Sequence, residues 1–125
     1  HKESGTYWSA LVAKVSDPDG RIQAVHRTWI DGHVLSASFG KAPVEPAKAS
    51  LGLVSGGAIR LSAAAEELIL AEGIETTWSA MQLYELPGWC GVSASNMLSS
   101  PGEFSPNRAA EKPTLRYGGD ALSVV

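Results

Sequence analysis

Apolar and polar positions alternate imperfectly from Tyr7 to Val15, a run that carries Tyr7, Trp8, Val12 and Val15. Asp17-Pro18-Asp19-Gly20 follows and reads as a turn, because proline presets its second position and glycine accepts a positive φ. Arg21 to Ile30 resumes the β-prone pattern with Ile22, Val25, Thr28, Trp29 and Ile30. Two such runs around one tight turn predict an N-terminal β-hairpin. Asp31-Gly32 opens another turn, and Val34 to Phe39 reads as a third short strand.

Periodicity fades between Gly40 and Leu51, where two prolines and three alanines predict a surface loop. Gly52 to Gly57 reads as flexible, and Ala58 to Leu61 as a short strand. Ser62 to Glu67 predicts one helical turn, with Ser62 as its cap and Glu66 in reach of the first amides. Glu67-Leu68-Ile69-Leu70-Ala71 is a short apolar run of the kind that forms a buried, parallel-type strand. Gly73 punctuates it, and a helix is expected from Ile74. Ile74, Trp78, Met81 and Glu85 lie on one stripe of it, with Thr77, Ala80 and Tyr84 beside them. Pro87 and Gly88 stop that helix, and Trp89 to Ser93 follows as a strand. Strand, helix and strand with short connections predict a right-handed βαβ unit. Beyond Asn96 the prolines mark a long loop, Arg116 to Asp120 is turn-like, and Ala121 to Val125 offers a last strand. The fold class expected is α+β or α/β, a mixed sheet with an N-terminal hairpin and a central βαβ unit.

Composition narrows the function. The 125 residues suit one domain, taken as 6–125, and 44% hydrophobic residues are enough for a core. His1 to Gly5 reads as a tag remnant or disordered start. A formal charge of −3 provides no strong basic field, so nucleic acid is expected only as a weak partner. The lone cysteine, Cys90, allows neither an intramolecular disulfide nor a cysteine-based zinc site, which fits a reducing cytoplasm. No apolar run approaches the roughly 18 to 20 residues of a membrane span, and no secretory pattern opens the chain.

Glu72 is the leading chemical candidate. It stands where a strand hands over to a helix, the place where open α/β sheets put ligand sites. A carboxylate there can bind Mg²⁺ or act as a general base, and Glu75 falls on the first helical turn beside it. The blander reading is that acidic residues favour helix starts for the dipole alone. Lys41, Lys48 and Arg60 mark a mildly basic face able to touch phosphates, although Asp31 and Glu45 lie among them and a solvated surface is the simpler account. His26 and His33 are too few for a metal site and read as strand histidines. Cys90 beside Trp89 reads as a small buried hydrophobe, and the four tryptophans as core.

The stretch Leu68-Ile69-Leu70-Ala71-Glu72-Gly73-Ile74-Glu75-Thr76 resembles the first motif of the Toprim fold shared by topoisomerases and primases. The likeness is to Toprim domains of phage- and plasmid-type primase–helicase proteins. It extends through Val25-His26-Arg27-Thr28-Trp29, Gly40-Lys41-Ala42-Pro43-Val44, Gly56-Gly57-Ala58-Ile59-Arg60-Leu61, Ser79-Ala80-Met81-Gln82 and Val92-Ser93-Ala94-Ser95-Asn96-Met97-Leu98. It covers roughly Ala10 to Leu98, and 99–125 reads as a divergent tail.

The resemblance implies a DNA-replication role in a mobile-element primase, with metal-assisted phosphoryl transfer. The residue matching Glu72 would be the general acid or base, and two aspartates spaced Asp-x-Asp would hold Mg²⁺. No Asp-x-Asp follows Glu72 here, and Asp17-Pro18-Asp19 lies on the wrong side of the motif. The expectation is a Toprim-like domain truncated before that motif, with weak or no catalysis. Glu72, Glu75 and Asp120 remain as candidate Mg²⁺ ligands. The rival is a non-catalytic module that dimerises through an exposed strand edge. A small-ligand pocket beside Trp78 and Trp89 is a third reading.

Overall fold

The computed structural model describes residues 5–31, 40–99, 116–118 and 122–124. Its elements run β1 (Ser9–Ser16), β2 (Ile22–Asp31), β3 (Gly40–Lys41), β4 (Lys48–Gly52), β5 (Ile59–Arg60), β6 (Ile69–Ala71), α1 (Ile74–Tyr84), β7 (Gly88–Cys90), α2 (Ala94–Ser99), β8 (Arg116–Gly118) and β9 (Leu122–Val124). They form two sheets in an α+β arrangement.

The first sheet centres on β2. β1 pairs with it antiparallel from Ser9↔Ile30 to Val15↔Ala24, with a bulge before Ser16. The Asp17–Gly20 turn closes this hairpin. Gly20 donates its amide to the Asp17 carbonyl at 2.9 Å, the Asp17 carboxylate accepts from the Arg21 amide at 2.8 Å, and Gly20 takes φ +85°. The other edge of β2 carries β4 and, further along, β3. β4 falls inside the stretch expected to be loop. Lys48-Ala49-Ser50-Leu51-Gly52 has little β propensity of its own, and the vacant edge of β2 recruits it. Val34 to Phe39 and His33 lie outside the described residues.

The second sheet has the order β5-β7-β6-β9-β8. β6 and β7 are parallel and joined by α1, so the expected βαβ unit is present. β9 pairs antiparallel with β6, making the sheet mixed, and β8 pairs with β9. Arg116 to Gly118 is therefore strand rather than turn. Gly88 lets α1 lie close: a Cβ there would meet Met81 Cγ at 2.6 Å and Thr77 Cγ2 at 2.8 Å. The buried stripe of α1 is Ile74, Thr77 and Ala80, while Trp78 is half exposed, so the helix is rotated from the stripe expected. Packing on Gly88 selects the Thr77 side. Ser62 to Glu67 forms no helical turn. Ser62 instead accepts from the Gly88 amide at 3.0 Å through its hydroxyl and from Trp89 Nε1 at 3.0 Å through its carbonyl.

Two apolar clusters hold the sheets. Ala58, Leu68, Leu70 and Trp89 pack with Met97 of α2. Val15 and Ala24 of the first sheet pack against Ile59, Ile74 and Cys90, which locks the hairpin to the βαβ unit. A bridge between Ser16 and Ala58 and the Arg60 side chain reinforce that joint. Arg60 Nη2 donates to the Asp17 and Pro18 carbonyls at 2.7 and 3.2 Å, and its guanidinium lies 4.6 Å from the Trp89 ring centre. Asn96 ties the far end: it accepts from the Gly56 amide at 2.8 Å and donates to the Gly57 and Gly91 carbonyls at 2.9 and 2.8 Å.

Candidate functional site

An open cleft of about 390 Å³ forms where the two sheets meet. One wall comes from three strands of the first sheet: His26 on β2, Lys41 on β3 and Lys48 on β4. The opposite wall is the segment from Glu72 to Thr76, where β6 turns into α1. Cys90 and Val92, at the end of β7, close the floor. The apolar joint beneath, Val15 and Ala24 against Ile74 and Cys90, fixes the spacing of these walls.

Glu72 leaves the end of β6 exposed to solvent, and its main-chain carbonyl accepts from Cys90 Sγ at 3.0 Å. Gly73 is the N-cap of α1 and offers no side-chain oxygen, so no side chain caps the first turn. Glu75, on that turn, bonds Lys48 Nζ at 2.9 Å. Partial burial opposes its charge. The Lys48 hydrogen bond, its own amide and the charges of Lys48 and Lys41 outweigh that and hold its carboxyl below the usual value. His26 Nδ1 shares a 2.8 Å hydrogen bond with Ser50 Oγ. Burial and then the Lys48 charge push the imidazole below its ordinary pKa, against the pull of Glu75. Burial raises the Cys90 thiol, so at neutral pH it is a packed thiol rather than a nucleophile. Val92 has φ 69°, a left-handed conformation that strains a β-branched residue by about 1 to 3 kcal/mol.

The site residues expected from sequence separate accordingly. Glu72, Glu75, Lys41 and Lys48 come together in this cleft. Arg60 does not join them, because it is spent on the joint between the hairpin turn and Trp89. Asp120 lies outside the described residues. His26 and Val92 line the cleft as well, beyond the site residues expected from sequence. The inward alternation Ala24, His26, Thr28 on β2 is the signal that places His26 on the inner face. Nothing local marks Val92. Neither Trp78 nor Trp89 lines the cleft.

Whether the cleft suits Mg²⁺ turns on its donors. Among the described residues no three His, Cys, Asp or Glu side chains converge, and one of the two carboxylates present is already engaged by an ammonium group. With one carboxylate tied to Lys48 and two ammonium groups in the lining, the donor set is a poor one for a divalent cation.

Comparison with known proteins adds one finding. A family described as a domain of unknown function, DUF7146, matches residues 1–61, just under half of the 125-residue chain. That region contains the first sheet and β5 but ends before Glu72. No curated protein and no solved structure matches. Among the described residues no helix is long and apolar enough to cross a membrane.

Proposed function

We propose that this chain is a Toprim-like domain of mobile-element, primase–helicase origin that meets nucleic acid in the cytoplasm through the cleft between its two sheets. The observation that carries the reading is the position of Glu72: it emerges from the end of β6, beside the start of α1, in a cleft walled by Lys41 and Lys48. A carboxylate so placed is a candidate general acid or base, and the lysines are candidate phosphate contacts. Taken alone, this chain is assigned weak or no catalysis, because no Asp-x-Asp follows Glu72 in it.

Fluorescence anisotropy with a labelled single-stranded oligonucleotide at low salt tests the binding. Weak, salt-sensitive binding is expected, reduced at least about tenfold in Lys41→Ala/Lys48→Ala. Undiminished binding in that double variant would remove the cleft from the reading.

One observation favours a second role. Along β1 the described residues pair only with β2, apart from the bridge at Ser16, and the outward face carries Val12 at 64% and Leu51 at 81% exposure. An uncovered strand edge of this kind suits pairing with a second copy. Sedimentation at high concentration decides it, a strict monomer counting against the dimer.

A further inference from the structure

The cleft already contains an anion, and it belongs to the protein. The Glu75 carboxylate takes the Lys48 ammonium at 2.9 Å and faces the charge of Lys41 as well. Both partners stay partly accessible, with 30% of the Lys48 side chain and 57% of the Glu75 side chain exposed. Ion pairs this exposed are weak and exchange readily. The cavity beside the pair is large enough for a phosphate group, and its other lining cation, Lys41, makes no ion pair among the described residues. The two lysines come from separate strands, so their convergence on one side of the cleft is a product of the fold and not of a local charge run.

We propose that Glu75 is an internal stand-in for a ligand phosphate: an incoming phosphate takes Lys48 and Lys41, and Glu75 swings out to solvent. This rests on the reading of the cleft as a phosphate-facing surface and adds to it a built-in competitor. The carboxylate lowers affinity for weak monoanions and is displaced by groups with more charge and more acceptor oxygens. The ligand chemistry is a phosphate ester, either the terminal monoester of a nucleotide or oligonucleotide or the diester backbone.

The test is a titration of the full chain with inorganic phosphate, followed by the amide shifts of Gly73 to Thr76. Removing the competing charge in Glu75→Gln should tighten binding about three- to tenfold, and Lys48→Met should weaken it about tenfold. Glu66→Gln removes the same formal charge at an exposed site away from the cleft, so its affinity should stay within about twofold of the parent. Phosphate bound by the parent but no tighter by Glu75→Gln, or tightened equally by Glu66→Gln, would overturn the stand-in while leaving the cleft reading intact. No binding by either the parent or Glu75→Gln would overturn both. Oligonucleotides with and without a 5′-phosphate separate the sources: preference for the phosphorylated end assigns the monoester, equal binding the backbone.

Discussion

The two sheets reach order by different routes. In the first, eight-residue β1 and ten-residue β2 zip across a four-residue turn, and seven of their 18 residues are exposed. In the second, no strand exceeds three residues, yet every residue of β6 and β7 is buried and the partners come from distant parts of the chain. The hairpin depends on local pairing and turn chemistry, whereas the second sheet depends on burial. A strand of three residues has too few ladder bonds to persist without Leu68, Leu70 and Trp89 packed about it. The cleft needs both sheets, one for its cations and one for its carboxylates.

The contrast can be broken by mutation. Leu70→Ala, at a 2% exposed position, should cost about 2 to 5 kcal/mol in urea unfolding, while Val12→Ala on the outward face of β1 should stay within about 0.5 kcal/mol. Equal costs would mean that the second sheet is not the burial-dependent one. Asn96→Ala should cost about 1 to 3 kcal/mol, since it strands the Gly56 amide and the Gly57 and Gly91 carbonyls near the end of β7. Arg60→Met tests the joint between the sheets and should cost about 1 to 2 kcal/mol, with phosphate affinity unchanged because Arg60 lies outside the cleft. A loss of affinity without a loss of stability would return Arg60 to the site.

The smallest effect concerns pH. His26 has a folded pKa below its ordinary 6.5, so the fold favours the neutral ring. The unfolded chain binds more protons in the window between the two values. The contribution of His26 is therefore complete above pH 6.5 and is lost as pH falls through the folded value. The melting temperature should decline as pH drops below 6.5, and His26→Gln should flatten that slope. An identical slope in the variant would assign the decline to other groups.

The sequence carried the locally encoded parts of this fold plainly. Asp17-Pro18-Asp19-Gly20 dictates its own turn, and the run from Leu68 to Ala71 ahead of Gly73 dictates strand, break and helix, which put Glu72 and Glu75 in place. β4 was hidden because its alanines, serine and glycine become a strand only when β2 offers an edge. Ser62 looks like a cap in sequence but serves as an acceptor for the Gly88 amide and the Trp89 indole, a role that only the folded sheet creates. Trp78 belongs to the core by its apolar character alone, yet it is half exposed because the helix rotates to seat Thr77 on Gly88, a contact set by the sheet and not by helical periodicity. The cleft itself was only half legible. Its lysines were visible as a mild basic face, but their meeting with Glu75 depends on β4 and on the apolar joint under Cys90.

The proposed binding surface is one cleft built from both sheets. Chemical-shift mapping with a short single-stranded oligonucleotide tests it directly. Lys41 and Lys48 of the first sheet and Gly73 to Thr76 at the start of α1 should shift together and saturate at one concentration. Shifts confined to one sheet, or gathered on the outward face around Val12, Val25 and Leu51, would contradict it.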